Sequence, residues 1–317
     1  MDSKTIYKKF IKENDLPIFF QDWWLDAIAC KDNWDVIITF NKNKEVTAVW
    51  PIYFTKRFGL NVISNPILSP YLGIWFNYPF EISYSRKIDF EEREIDKMIK
   101  LLPNFYFLQC GFHEKFTNWQ PFYWAGFEQT SYYTYIIEPD QPIELLYKNL
   151  KPNVRNHIKN AEIHYVIEEN NDIEFFYELI QYTFDNQNIS NPINYKLLKN
   201  IFVELIEHNQ CKLIVAKNID NQLVCGSLFV YDKFSVYNIL SGCNRNVNIS
   251  GAMQLILWKG ICFANENKLS FNFEGSMIKD VNELYSSYGA KQIQYFLIRK
   301  SKNRWIDAAR TLFRKKL

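Results

Sequence analysis

The sequence lacks the short motifs by which common nucleotide, hydrolase and metal sites are recognised. It contains no G-x-x-x-x-G-K-S/T phosphate loop, no G-x-G-x-x-G fingerprint after a strand and no G-x-S-x-G turn. Its 6 cysteines show no C-x-x-C spacing, and its 4 histidines show no spacing typical of metal ligands. A P-loop NTPase, a dinucleotide-binding enzyme and a resident metal are therefore not expected.

Glycine, proline and long apolar runs are scarce as well. Only 10 glycines and 11 prolines occur among 317 residues, which excludes a collagen-like or low-complexity chain. No apolar run reaches the length of about 18 residues that a membrane-spanning helix requires, and the polar N-terminus contains no recognisable signal peptide. The cysteines lie mostly in apolar contexts, where buried and reduced thiols are expected, so we predict a cytoplasmic protein.

The chain has the composition of a packed globular protein. Hydrophobic residues make up 48% and charged residues 23%, which excludes intrinsic disorder as the main state. The aromatic share of 17% favours aromatic-lined clefts, and 317 residues suffice for two domains. The formal net charge of +2 lacks the strongly basic balance of a general nucleic-acid binder.

Hydrophobic periodicity predicts one succession of elements twice. In the second half, helices at residues 173–186 and 195–208 precede a three-stranded antiparallel meander, and the full order is α-α-β-β-β-α-β-α-β. The first half follows this plan more loosely, from a helix at residues 22–29 to a last strand at 132–137. We therefore predict an α/β (α+β) protein with two tandem domains, each a mixed, mostly antiparallel sheet flanked by helices.

The predicted domains are residues 1–139 and 140–300. The boundary falls in the segment E-P-D-Q-P at 138–142, where two prolines interrupt both helix and strand. Residues 301–317 place apolar side chains at helical spacing among basic ones, which predicts a basic amphipathic tail. Such a helix can lie on an anionic membrane, contact RNA phosphates or pack on the protein body.

A carboxylate, a glycine and a hydroxyl follow an apolar strand in the segment F-N-F-E-G-S-M. Glu274 and Ser276 thus lie at a strand end, where ligands collect in α/β sheets, and are candidate catalytic residues. Aromatic neighbours disfavour a charged carboxylate, so Glu274 is a candidate general base near neutral pH. The alternative is structural, with Glu274 capping the following helix or pairing with an arginine.

A polar loop leads into a second candidate site at the start of a helix predicted over residues 250–265. The N–H groups and the positive dipole end of this helix, at Ser250, Gly251 and Ala252, can hold phosphate groups. Arg245 can add a positive charge. The alternative is simple N-capping by Ser250.

Three basic residues form a third candidate. Lys151, Arg155 and Lys159 recur at intervals of four on one face of a predicted helix. A solvated face is the usual explanation of such a run. A face that contacts an anionic substrate is the alternative.

Several of these segments resemble the FemABX-like proteins. The run R-N-H-I-K-N-A at residues 155–161 is similar to the basic helix of that family. The pattern F-E-G-S at 273–276, followed by Y-G-A at 288–290 and Tyr295 in a strand, is similar to its most specific motif. The resemblance covers residues 148–300 well. It implies two GNAT folds in tandem and transfer of an acyl or aminoacyl group to an amine, from a coenzyme A thioester or an aminoacyl-tRNA.

Two segments bear on the donor that this resemblance implies. Residues 245–252 read R-N-V-N-I-S-G-A and share only the final Gly-Ala with the Q/R-x-x-G-x-G/A pyrophosphate loop of GNAT enzymes. Residues 284–289 read L-Y-S-S-Y-G, without the lysine of the tRNA-dependent members. We expect an acyl-CoA thioester as the donor. Aminoacyl-tRNA-dependent transfer to a cell-wall precursor and a non-catalytic binding module are the alternatives.

Acyl transfer to an amine requires a proton acceptor, an oxyanion site and a proton donor. We expect Glu274 to accept the proton of the amine. Backbone N–H groups at Gly242 and Cys243 are the candidates for the oxyanion site. Tyr288 or Tyr295 is the candidate proton donor for the leaving group.

The first domain is expected to supply the acceptor side. Tyr71, Trp75, Trp119 and Trp124 are candidates for the wall of an aromatic cleft, and core packing is the alternative for each. The expected acceptor is an amine-bearing small molecule or a cell-envelope precursor, with tRNA as a further partner if the donor is an aminoacyl-tRNA. A membrane-bound tail would make the protein membrane-peripheral.

Overall fold

The computed structural model describes residues 2–247, 249–275 and 277–302. They form two compact units, which we call unit 1 (residues 2–132 and 294–302) and unit 2 (residues 133–293). The predicted domain boundary after residue 139 stays a prediction. The predicted tail lies outside the described residues except for Ser301 and Lys302.

Unit 1 begins with two helices and continues with strands and further helices. These elements are α1 (Ser3–Glu13), α2 (Asp22–Ala29), β1 (Trp34–Phe40), β2 (Val46–Arg57), β3 (Leu60–Ser64), β4 (Trp75–Phe76), α3 (Tyr84–Leu101), β5 (Phe107–Gly111), α4 (Gln120–Trp124) and β6 (Glu128–Ile137). Residues 133–137 of β6 already belong to unit 2.

Unit 2 repeats that order, without a counterpart of β4, after three additional elements. Its elements are α5 (Ile143–Asn149), α6 (Pro152–His164), β7 (Val166–Glu169), α7 (Ile173–Asn186), α8 (Tyr195–Glu207), β8 (Cys211–Lys217), β9 (Leu223–Tyr231), β10 (Ser235–Cys243), α9 (Ala252–Glu266), β11 (Ser270–Asn272), α10 (Lys279–Ser286) and β12 (Lys291–Ser301). Residues 294–301 of β12 belong to unit 1.

Both units contain the same pattern of strand pairing. In unit 1, β1, β2 and β3 form an antiparallel meander, β3 pairs in parallel with β5, and β5 pairs antiparallel with β12. In unit 2, β8, β9 and β10 form the meander, β10 pairs in parallel with β11, and β11 pairs antiparallel with β6. The predicted fold class, with mixed and mostly antiparallel sheets, is confirmed.

The last strand of each sheet comes from the other half of the sequence. Strand β12 follows β11 along the chain, yet its residues 297–301 pair with β5, with Leu297 opposite Gly111. Strand β6 follows β5, yet its end pairs with β11, with Ile137 opposite Phe271. The two repeats have therefore exchanged their terminal strands, which the order of elements along the chain does not reveal.

Helices cover both faces of the unit 2 sheet at close range. A Cβ atom at Gly242 would lie 2.6 Å from the backbone nitrogen of Ile180 in α7, and its cross-strand neighbour Gly226 also meets α7. On the α9 side, a Cβ atom at Gly260 would lie 2.7 Å from the Phe229 ring. Gly226 and Phe229 are three residues apart on β9, so they lie on opposite faces. Helices α7 and α9 therefore enclose this sheet.

Membrane-spanning helices are not found in the part of the chain that the structure describes, because no helix there is both long enough and apolar enough.

Candidate active site

Strands β10 and β11 run side by side briefly and then part. Their parallel pairing ends at Tyr237 and Asn272. Beyond this point β10 stays paired with β9, whereas Phe273 follows β6 and donates its N–H to the Tyr135 carbonyl at 3.0 Å. The strands thus separate at the carboxyl end of β11, the kind of position where ligands bind in α/β sheets.

A β-bulge lies in β10 directly beyond the last parallel pair. Asn238 pairs with Phe229 and Leu240 pairs with Leu228, so Ile239 is the extra residue. A bulge bends its strand and leaves the extra residue out of the hydrogen-bonded ladder. The bulge accounts for the divergence of β10 from β11, and it leaves Ile239 without an opposite residue on β9.

Buried polar side chains belong to the strands on both sides of this separation. On β10, Asn238 Oδ1 accepts the hydroxyls of Ser227 at 2.5 Å and Ser241 at 3.1 Å. On β11, Asn272 Oδ1 accepts the Thr134 hydroxyl at 2.6 Å. Asn238, Ser227, Asn272 and Thr134 are all buried. Burying polar groups costs free energy unless hydrogen bonds compensate. Two buried polar clusters in an otherwise apolar sheet therefore indicate a candidate functional site.

Glu274 lies at the end of β11, as the sequence predicts, in a strained conformation. Its φ is 61°, a left-handed value that costs a non-glycine residue about 1–3 kcal/mol. Its N–H donates to Asn272 Oδ1 at 2.9 Å, and both carboxylate oxygens are shielded from solvent. Helix α10 begins after Ile278 without a side-chain cap, so Glu274 does not cap it. A buried carboxylate on strained backbone is more typical of a functional site than of a surface cap.

Tyr285 on α10 connects the two sides of the separation. Burial and the nearby charge of Glu274 raise the pKa of its hydroxyl to about 12, while a hydrogen bond with the Asn238 side chain acts in the opposite direction. Its ring centroid lies 4.8 Å from that of Phe273. The phenol therefore keeps its proton at neutral pH beside a carboxylate, which is an arrangement suited to proton transfer.

The two tyrosines named from the sequence have other roles, although the ring centroid of Tyr288 also lies 5.3 Å from that of Phe273. The Tyr288 hydroxyl donates to the Gln254 carbonyl at 3.0 Å, and burial raises its pKa well above the ordinary value. Tyr295 belongs to unit 1, where its ring packs edge-on against Tyr71 and Tyr132. Ser276 lies outside the described residues.

One of the two predicted oxyanion donors has a hydrogen-bond partner on α7. The Cys243 N–H donates to the Thr183 hydroxyl at 2.9 Å. Gly242 permits the close contact with α7 described above. The bulge residue Ile239 lies two residues beyond Tyr237, the last residue of β10 that pairs with β11, and the sequence pattern does not reveal the bulge.

The predicted phosphate site lies at the start of α9. Gly251 is the N-cap residue, with φ 79° and no side-chain cap, so Ser250 does not cap this helix. A Cβ atom on Gly251 would lie 2.5 Å from the His157 carbonyl oxygen, and Ala252, the first helical residue, is buried. Arg245 is exposed in the preceding turn. The glycine thus has a packing reason that does not require a phosphate.

The three residues of the predicted basic face of α6 differ in their contacts. Arg155 donates from Nη1 to the Lys148 carbonyl at 2.8 Å and to the Leu150 carbonyl, which satisfies the C-terminal end of α5. Lys151 and Lys159 are exposed.

Of the four aromatic residues predicted for an acceptor cleft, Tyr71 and Trp75 both pack edge-on against His113, whereas Trp119 packs against Tyr123. Tyr71 is buried and packs edge-on against Phe19. Trp75 and Trp119 are partly buried, whereas Trp124 is 61% exposed. A cavity of about 910 Å³ in unit 1 is lined instead by residues of α1, the β1–β2 hairpin and residues 77–79.

Sequence reasoning missed Asn238, Ser227, Asn272 and Tyr285. A signal for three of them exists, because each is a polar residue inside an otherwise apolar strand segment. Such positions are rarely tolerated in a core without a hydrogen-bonding purpose. Within residues 2–247, 249–275 and 277–302, no group of His, Cys, Asp or Glu side chains is arranged to hold a metal ion.

Comparisons with known proteins place the fold. No sequence-family model and no curated protein matches the chain. Among solved structures it is similar to FemX, with a TM-score of 0.67 and 12% identity over 93% of this chain and 96% of that one. L-PGS from Bacillus licheniformis gives 0.56 and 11%, over 95% and 93%. A tandem GNAT protein from the clavulanic acid biosynthesis pathway gives 0.50 and 8%, over 92% and 98%. The tandem GNAT, FemABX-like fold implied by the sequence resemblance is confirmed.

Proposed function

We propose that the protein is an acyltransferase, which moves an acyl group from an activated thioester or ester to an amine. The observation that carries this proposal is a shielded carboxylate, Glu274, next along the chain to Phe273, whose ring centroid lies 4.8 Å from that of Tyr285. A carboxylate and a protonated phenol supply the two proton-transfer groups that aminolysis requires. The fold shared with FemX and a tandem GNAT protein supports the same class of reaction.

Each residue of this site has one task in the proposed reaction. Glu274 accepts the proton of the attacking amine, directly or through a water molecule. The N–H of Ile239, at the bulge in β10, stabilises the oxyanion of the tetrahedral intermediate. Tyr285 donates its proton to the leaving group, and Asn238 holds the phenol in position.

An acyl-CoA thioester is the donor that we favour. When bound, it supplies an activated carbonyl and a thiolate leaving group. Residues at the start of α9 suit its phosphates, because the Gly251 N-cap brings no side chain to the N–H groups of the first turn and Arg245 is exposed nearby. Since Gly251 also serves the contact with α6, donor binding has to be tested directly.

Aminoacyl-tRNA-dependent transfer to a cell-wall precursor is the second candidate. It is favoured by the similarity to FemX, which extends over 93% of this chain. The same chemistry applies, since Tyr285 can protonate a ribose oxygen as well as a thiolate. A cytoplasmic protein whose basic tail contacts an anionic membrane would suit an envelope precursor as acceptor.

Thermal-shift titration with acetyl-CoA and with free CoA tests the donor. Saturable stabilisation is expected if the folded protein binds the ligand, and Arg245→Ala should weaken it. A shift with charged tRNA and none with either CoA species would favour the second candidate. No shift with any donor would leave a non-catalytic binding module.

Substitution of the two proton-transfer residues tests the chemistry. With an accepted donor, Glu274→Gln and Tyr285→Phe should each lower turnover at least tenfold, since general acid–base catalysis contributes about 10²–10⁴. Glu283→Gln on α10 is the matched control, because the same change is made there at an exposed carboxylate, which lies 3.9 Å from Lys279. Unchanged turnover in Glu274→Gln would remove Glu274 from the mechanism.

A further inference from the structure

Two cysteines face each other at the ends of neighbouring strands in unit 2. Cys225 on β9 lies opposite Cys243 on β10 in the antiparallel register, and their Sγ atoms are 2.7 Å apart. Both are free thiols. The acyl-transfer proposal uses neither side chain.

The hydrogen-bond pattern identifies the type of this cross-strand pair. The Asn244 N–H donates to the Val224 carbonyl at 2.8 Å, so the pair one step beyond the cysteines is a hydrogen-bonded one. Hydrogen-bonded and non-hydrogen-bonded pairs alternate along an antiparallel ladder. Cys225 and Cys243 are therefore a non-hydrogen-bonded pair, in agreement with the donation of the Cys243 N–H to Thr183.

This type of pair suits a covalent link between the side chains. Residues in a non-hydrogen-bonded pair have Cα atoms about 4.5 Å apart, and their side chains are the closer of the two kinds. Disulfides span Cα separations of about 4.4–6.8 Å. The bond can thus form by rotation of the two side chains, without movement of either strand.

The two cysteines differ in their exposure to solvent. Cys225 is fully buried, whereas Cys243 is partly exposed and lies two residues before the exposed Arg245. A dissolved oxidant therefore reaches Cys243 first. The hydrogen bond with Cys243 and burial raise the pKa of Cys225, so Cys225 is the thiol that keeps its proton until the second step.

We propose that Cys225 and Cys243 form a modification site that closes to an intramolecular disulfide under a peroxide oxidant. The Cys243 sulfur attacks hydrogen peroxide, the O–O bond breaks, and the departing hydroxide takes up the proton of the Cys243 thiol, which gives water and a sulfenic acid. The Cys225 sulfur then attacks the Cys243 sulfur, the S–O bond breaks, and a second water leaves with the Cys225 proton. Two thiols lose two electrons, and one peroxide gains them.

The site lies beside the polar cluster on β10. Cys243 is two residues beyond Ser241, and Cys225 is two residues before Ser227, so both cysteines share a sheet face with the two serines. The link would join β9 to β10 just before the turn that carries Arg245. The inference rests on strand register and thiol geometry, and it stands whether or not the protein is an acyltransferase.

Peptide mapping of the oxidised protein tests the proposal. The reduced full-length protein is treated with hydrogen peroxide, its remaining thiols are blocked with N-ethylmaleimide, and it is digested without reduction for mass spectrometry. The expected product is the Cys225 peptide joined to the Cys243 peptide, two hydrogens lighter than their sum. Alkylation of both cysteines after oxidation, or a link from Cys243 to any other cysteine, would overturn it.

Variants assign the order of the two steps. In Cys225→Ala, dimedone should trap a sulfenic acid at Cys243, because no partner thiol remains to condense with it. Cys262→Ala is the control, since Cys262 is also partly buried in unit 2, and it should still form the 225–243 link. Absence of dimedone labelling in a folded Cys225→Ala protein would contradict the assigned order. If that variant does not fold, the peptide map of the unmodified sequence decides.

Discussion

A single buried histidine should make unit 1 less stable as the pH falls. His113 is 5% exposed, and its ring centroid lies 4.8 Å from that of Tyr71 and 5.8 Å from that of Trp75. Its Nδ1 accepts the Lys115 N–H at 3.2 Å, so this nitrogen carries no proton. Burial, with the positive charge of Lys115, lowers the pKa of His113 to about 3, even though a Glu114 carboxylate oxygen lies 3.3 Å from Nδ1.

The sign and size of the effect follow from proton binding. In the unfolded chain this histidine is exposed and its pKa is about 6.5. Between about pH 6.5 and pH 3 the histidine is protonated in the unfolded state and neutral in the folded state. The free energy of unfolding therefore decreases as the pH is lowered through this window. One proton corresponds to about 1.4 kcal/mol per pH unit. Between about pH 7 and pH 5 the expected loss is about 2 kcal/mol.

Urea unfolding followed by tryptophan fluorescence at these two pH values measures the loss. All but two of the 9 tryptophans precede residue 133, the exceptions being Trp258 and Trp305, so the signal reports chiefly on unit 1. His113→Gln retains an acceptor for the Lys115 N–H and should abolish most of the difference. His208→Gln, at the exposed C-cap of α8, should leave it intact. An equal pH dependence in the original protein and in His113→Gln would refute the reasoning.

Two further predictions concern packing and the tail. Gly242→Ala should lower the free energy of unfolding by about 1–3 kcal/mol, because its Cβ would lie 2.6 Å from the backbone of α7. Gly226→Ala should lower it less, because the nearest atom to its Cβ belongs to the Phe176 ring, at 3.0 Å. Equal melting temperatures for the two variants would contradict this order. Removal of residues 303–317 should abolish binding to anionic vesicles if the tail is a membrane contact, and retained binding would discard that role. The cut follows Lys302 because Ser301 still pairs with Phe107 and the Lys302 N–H donates to the Tyr106 carbonyl at 3.0 Å.

Local elements could be predicted wherever one strong period dominates the sequence. Helix α7 (Ile173–Asn186) has the predicted bounds, since its apolar residues follow helical spacing without interruption. Helix α1 was missed although its buried face, at Tyr7, Phe10 and Ile11, has helical spacing. Helix α4 spans only 5 residues with a proline in its first turn, too short for a periodic signal.

Strand partners could not be predicted from the same patterns. An alternation of apolar and polar residues indicates that a segment is a strand, but it does not indicate which other strand pairs with it. The assignment of β6 and β12 to the ends of successive repeats is therefore natural from the sequence. Their actual pairing with β11 and β5 depends on contacts between residues more than 100 positions apart.

In the candidate site, too, the features set by the local sequence could be predicted, and those set by distant residues could not. Glu274 could be found because it ends an apolar strand. The choice between Tyr285 and Tyr288 could not be made, because both lie in the segment L-Y-S-S-Y-G and their surroundings come from elsewhere. Tyr285 lies near Asn238 and the charge of Glu274, while the Tyr288 hydroxyl donates to the Gln254 carbonyl.

The exchanged strand also explains why the site extends across the predicted boundary after residue 139. Strand β11 has only 3 residues, and on the side away from β10 it is held by β6. The Thr134 hydroxyl donates to Asn272, and the Tyr135 carbonyl accepts the Phe273 N–H. Asn272 in turn accepts the Glu274 N–H, so the strained backbone of the carboxylate is fixed through residues of β6. The position of Glu274 thus depends on a segment that the linear order of the sequence assigns to the other repeat.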